Sequence, residues 1–180
     1  MKMRFLVVVD MQNDFIDRSL GTKEAEDIVN NVVNKIHEWP DEVIFTRDTH
    51  KKDYLLTQEG KNLPVEHCIK NTYGWQIREE VAVAGFERDH EPDVIDKPTF
   101  ASKKLAKQLT ALNKVSPIEE IVLVGLCTDI CVVSNSLMLK GFMPEVPISV
   151  DASCCAGVTP EKHLAALETM RSCQINVINA

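Results

Sequence analysis

The stretch EEIVLVGLCTDICVVSNSLMLK, residues 119–140, passes from an apolar, β-branched run through a short polar turn into a segment with helical spacing. Four successive apolar residues, IVLV, suit a strand buried on both faces, which is the habit of parallel sheets. A parallel neighbour can be reached only by a crossover, and residues 129–140 supply a helix for one. The same pattern recurs on either side. Strand-like runs stand at RFLVVVD (4–10), DEVIFTRD (41–48), DVIDK (93–97), VPISVDA (146–152) and QINVINA (174–180), with helical spacing at 24–38, 102–113 and 160–172. Strand and helix in alternation predict an α/β fold, a three-layer, doubly wound (Rossmann-like), six-stranded parallel sheet with helices on both faces.

The length of 180 residues, 44% of them apolar, allows one core, so residues 1–180 are expected to form a single domain. Only residues 48–93, with Gly60, Pro64, Gly74, Gly85 and Pro92, lack a clear period, and an irregular excursion of that length is expected to be functional. A formal net charge of -7, with 20 Lys and Arg scattered along the chain, argues against a nucleic-acid partner. The apolar run after Arg4 is too short for an export signal or a bilayer span, so the expectation is a cytoplasmic protein with no membrane partner. In that reducing compartment the six cysteines are expected to be thiols. Whether copies associate as a homo-oligomer is left open by the sequence.

The chemistry gathers at the carboxyl ends of the predicted strands, where open parallel sheets form their ligand crevice. Asp10, Asp48 with His50, Lys97 and the turn GLCTDIC all lie there. Any one of them alone is an ordinary turn residue; four together argue for a site. Thr128 or Asp129 as a helix N-cap places Cys131 in the first helical turn, where the positive helix end favours a thiolate. Cys131 is therefore the expected nucleophile, and Cys127, before the helix, matters more for its backbone than its sulfur. Cys68, Cys154, Cys155 and Cys173 are read as packing residues. Asp48 and His50, two apart on an extended chain, point to one side and can share an ion, with His67 as a third ligand. Two imidazoles and a carboxylate suit Zn²⁺, with Fe²⁺ or Mn²⁺ as alternatives. His37, His90 and His163 are read as histidines that bind nothing.

VVVDMQNDF (7–15), TRDTH (46–50), EHC (66–68), DKPTFAS (96–102), GLCTDICV (125–132) and VDASCCAGVTPEKH (150–163) follow one another as in the isochorismatase-like cysteine hydrolases, and the chain resembles the nicotinamidase type among them. The resemblance implies Cys131 as nucleophile, Asp10 as general base and Lys97 as the cation beside the thiolate. It also implies a cis Leu126–Cys127 peptide and an oxyanion hole from the backbone N–H groups of Cys127 and Cys131. Asp48, His50 and His67 become ligands of a metal that orients a pyridine carboxamide, and Phe15 one wall of the ring pocket. The opposite wall, usually aromatic three residues before the third ligand, is here Pro64, next to Leu63. Phe100, Tyr54 or Trp75 are the candidates to compensate. The implied reaction is hydrolysis of nicotinamide to nicotinate and ammonia through a cysteine thioester, a step of NAD salvage. The alternative is another small carboxamide or ureido compound.

Overall fold

The computed structural model describes residues 3–180. Six parallel strands form one sheet in the order β3-β2-β1-β4-β5-β6. They are β1 (Met3–Val9), β2 (Glu42–Asp48), β3 (Asp93–Lys97), β4 (Ile118–Leu126), β5 (Ile148–Ala156) and β6 (Asn176–Ile178). The alternation along β1 shows why the sheet needs two covers: Phe5, Val7 and Val9 join one apolar cluster, Leu6 and Val8 the other. The first cluster is closed by α6 (Lys103–Val115), α7 (Val133–Phe142) and α8 (Pro160–Ser172), through Leu105, Leu109, Leu139, Leu167 and Met170. The second is closed by α1 (Asn13–Ile16), α2 (Lys23–Asp27), α3 (Val29–Glu38) and α5 (Glu79–Phe86), through Ile16, Ala25, Val32, Ile36, Val81 and Ala84. The expected doubly wound α/β sheet is thus the observed one.

Two expectations are corrected. The helical run at 24–38 is broken at Ile28 into α2 and α3. The excursion at 48–93 is not without structure: it holds a 3-10 turn (Tyr54–Leu56), α4 (Gln58–Asn62) and α5. Helix α4 is only five residues long, and its start is fixed by Thr57, whose hydroxyl accepts from the Gly60 N–H at 3.0 Å. Such a turn has too few residues to show a period.

From β1 the chain winds outward through β2 to β3, then returns to the other side of β1 as β4. This reversal between β1 and β4 is the place where a doubly wound sheet opens a crevice. Gly125 makes the close approach there. Its φ is +113°, and a Cβ on it would lie 2.1 Å from the Val9 carbonyl oxygen. No helix among the described residues is long and apolar enough to cross a membrane.

Candidate active site

At the reversal, Asp10 leaves β1 with φ +47° and Lys97 ends β3. Cys131 sits in a π-helical turn, Thr128–Val132, that joins β4 to α7. Lys97 Nζ lies 2.6 Å from Asp10 Oδ2 and 3.4 Å from Cys131 Sγ. Thr46 on β2 donates its hydroxyl hydrogen to Asp10 Oδ1 at 2.7 Å. All three site groups are buried, with Asp10 0%, Lys97 1% and Cys131 4% exposed, so their charges act with little solvent screening. The Leu126–Cys127 peptide is cis.

The helix-end account of the thiol is corrected by the structure. Thr128 and Asp129 do not cap the turn: Thr128 Oγ1 is hydrogen-bonded to His163 Nδ1, and Asp129 Oδ1 accepts from the Val158 N–H. Burial lifts the Cys131 thiol well above its ordinary range, the Asp10 charge adds to that, and Lys97 opposes it. The resting sulfur therefore keeps its proton. Burial also raises Asp10, against the pull of Lys97, and a carboxylate so raised is the stronger base. Against the desolvation that would lower it, Lys97 is raised by the charges of Asp10 and Asp48 and by its hydrogen bond to Asp10, and it stays an ammonium. Cys127 is pushed up to about 12, by burial first and then by Asp129.

Beside this trio, Asp48, His50, Glu59 and His67 bring one ligand atom each to within 4.8 Å of one another. His67 Nδ1 is hydrogen-bonded to the Val65 carbonyl oxygen at 2.8 Å, which leaves Nε2 to face the cluster, 3.6 Å from Asp48 Oδ2. His50 Nε2 is 2.9 Å from that same oxygen, while Asp48 Oδ1 is buried without a hydrogen-bond partner. Two imidazole nitrogens and two carboxylates converging in a buried place are a donor set for a divalent cation. Glu59 was not singled out from the sequence. The signal it carries is an acid between two histidines of one excursion, and its reach depends on the turn of α4, which no motif announces.

A cavity of about 460 Å³ joins the two clusters, lined by Asp48, Glu59, His67, Cys127 and Cys131 on its polar side. Phe15, Leu63 and Phe100 line it as well, together with Leu20 and Ile130. Phe15 packs at 5.5 Å against the His67 ring. Tyr54 and Trp75 are not among the lining residues. Tyr54 is fully buried behind the imidazoles, 4.6 Å from the His50 ring, with its hydroxyl donating to the Leu63 carbonyl. Trp75 donates its indole N–H to Thr49 Oγ1 and stacks under Arg47, whose guanidinium carbon is 3.8 Å from the ring centre. Of the residues expected to form or compensate that wall, Phe100 and the aliphatic Leu63 line the cavity, while Trp75 packs beneath β2.

This geometry can be set beside known proteins. A nicotinamidase of Schizosaccharomyces pombe is 25% identical over 97% of this chain and 92% of its own length. Among solved structures, a Bacillus subtilis nicotinamidase/pyrazinamidase superposes with a TM-score of 0.82 at 23% identity, covering 98% of this chain and 99% of that one. A Pyrococcus horikoshii pyrazinamidase in complex with zinc gives 0.79 at 24% identity, covering 98% and 99%. The isochorismatase domain model matches residues 4–180. On that match the chain belongs to the isochorismatase family, and it resembles the nicotinamidase-type hydrolases within it.

Proposed function

We propose that this hydrolase converts nicotinamide to nicotinate and ammonia through an acyl-enzyme on Cys131. The observation that carries the reading is the pairing of a buried Asp10–Lys97–Cys131 cluster with a four-donor metal cluster across one cavity.

In this mechanism Asp10 takes the thiol proton as Sγ attacks the carboxamide carbon, and the ammonium of Lys97, 3.4 Å away, favours the anion as it forms. The backbone N–H groups of Cys127 and Cys131 receive the developing oxyanion. Asp10 then delivers its proton to the amide nitrogen, the C–N bond breaks and ammonia leaves a thioester. Water attacks that thioester with Asp10 again accepting a proton, which returns to the sulfur as the carboxylic acid departs. Asp48, His50, Glu59 and His67 would hold a divalent ion, for which Zn²⁺ is the proposed identity, as a Lewis-acid anchor for the pyridine nitrogen. Phe15 and Phe100 face the ring from the cavity wall. Nicotinate as product would serve NAD salvage, with a small amide as the enzyme's partner and the cytoplasm as its proposed compartment.

A second reading, a small aliphatic carboxamide or ureido acid as substrate, is favoured by Leu63, which lines the cavity where an aromatic wall was expected. Ammonia release over a panel of nicotinamide, pyrazinamide, aliphatic amides and ureido acids separates the two. The first reading requires the pyridine and pyrazine amides to lead the panel; a lead by the aliphatic or ureido compounds rejects it.

A further inference from the structure

The turn that carries the nucleophile is tied to the start of α8 by side chains that none of the chemistry above uses. Thr128 is fully buried, and its Oγ1 lies 2.8 Å from Nδ1 of His163, in the first turns of α8. One residue on, Asp129 Oδ1 accepts from the Val158 N–H at 2.9 Å, in the loop that precedes α8. Gly157 lets this loop close on the turn: a Cβ there would meet the His163 nitrogen at 2.8 Å and Asp129 Oδ1 at 2.9 Å. Within the turn, the Cys127 carbonyl accepts from the N–H groups of both Ile130 and Val132 at 3.1 Å. Cys127, Thr128 and Cys131 are therefore parts of one short, folded backbone unit; Asn135 of α7 holds it at the Cys131 carbonyl, 2.7 Å away, and His163 of α8 grips it at Thr128.

We propose that Thr128 and His163 are a positioning pair, which holds the amide groups of Cys127 and Cys131 where the oxyanion develops. Neither residue touches substrate in this account. Burial keeps the His163 ring below the ordinary imidazole range, against the opposing pull of Asp129, so near neutrality it is uncharged. One hydrogen then joins Thr128 and His163 whichever ring nitrogen carries the proton. Oxyanion donors act only when aimed at an atom that moves by fractions of an ångström, so a turn free to shift should lose acyl transfer before it loses nucleophilicity. The inference rests on the oxyanion role given above to the two cysteine amides, and it does not require nicotinamide to be the substrate.

Two reactions of the Cys131 thiol separate positioning from general damage. Acylation by p-nitrophenyl acetate passes through a tetrahedral oxyanion; alkylation by iodoacetamide does not. Both are followed on Cys131 by mass spectrometry of the quenched holoenzyme, in Thr128→Val, Thr128→Ser, His163→Leu and His163→Asn proteins whose thermal melts match the parent. Thr128→Val and His163→Leu are expected to slow acylation roughly tenfold while alkylation stays within about twofold, with Thr128→Ser and His163→Asn recovering most of the loss. His163 is only half-buried, so its variants keep the test alive if Thr128→Val fails to fold. Acylation and alkylation falling together, or acylation unchanged in folded protein, overturns the proposal. A parent that is acylated and yet releases no ammonia from nicotinamide refutes the substrate reading alone, and the ratio of the two rates still decides this one.

Discussion

Lys97 is the residue on which the site's electrostatics turn, since its ammonium touches both Asp10 and Cys131. At 3.4 Å from the sulfur, and with an effective dielectric of about 20, its attraction for a thiolate is about 5 kcal/mol, an upper limit because Asp10 shares the same charge. The sign follows from the two protonation states. Lys97 pulls a thiol downward that burial and Asp10 push up, so its removal must move the titration of Cys131 to higher pH. In Lys97→Met the pH midpoint of Cys131 alkylation is expected to rise by at least about one pH unit, with a steep fall in kcat. A mutant profile that superimposes on the parent's would separate Lys97 from the thiolate. His163 shows what a single side chain hides: nothing in the sequence joins it to Thr128, 35 residues away, and by sequence alone it reads as a histidine that binds nothing.

At the scale of elements, the close approach of β1 and β4 brings Asp10 toward the nucleophile turn, and Gly125 is what permits it. Alanine there needs a φ that only glycine adopts readily and sets a methyl against the Val9 oxygen. Gly125→Ala is expected to cost about 3 kcal/mol or more in urea denaturation. Gly141, in α7, has nothing within 4 Å of its Cβ position and is the control: Gly141→Ala should be neutral or stabilising by up to about 1 kcal/mol. Equal losses in the two variants would contradict this account of the reversal. The strands of this region were legible in the sequence because each is an apolar, β-branched run that gives way to a turn carrying polar residues, Asp10 after β1 and Thr128 and Asp129 after β4. Asp10, Asp48, Lys97 and the turn around Cys131 were legible for the same reason, as strand-end residues. Glu59 and α4 were not, because a five-residue helix buries too little to impose a pattern and its ligand atom meets the others only through the folded excursion. Trp75 does not face the pocket, because an aromatic near a pocket in sequence need not point into it; this one is engaged by Thr49 and Arg47.

Over the whole molecule, two covered faces leave a few buried charges to set the response to acid, and Asp151 on β5 is one outside the site. It is 1% exposed, and Lys35 of α3 lies 2.8 Å from its carboxylate. Burial would raise this carboxyl, but hydrogen bonds from Lys35, Ser153 and Asn179, with the Lys35 charge, leave it below the ordinary range. A folded-state pKa below the unfolded one means that the stabilisation is complete above the unfolded value. It is lost as pH falls from about 4 through the folded value. Asp151→Asn should therefore be less stable than the parent by about 1–3 kcal/mol near pH 7, with the gap narrowing below about pH 4. Urea titrations at both pH values check this, and a gap that widens in acid would reverse the sign. The central claim for the molecule as a whole is that its two clusters act on one amide, and rapid quench of the metal-loaded enzyme with nicotinamide, followed by peptide mass spectrometry, tests it most directly. The account predicts a nicotinoyl thioester on Cys131 that forms and decays with ammonia release and is absent from Cys131→Ala, while Cys127→Ala still turns over. A nicotinoyl group on Cys127, or steady ammonia release from Cys131→Ala, would contradict it.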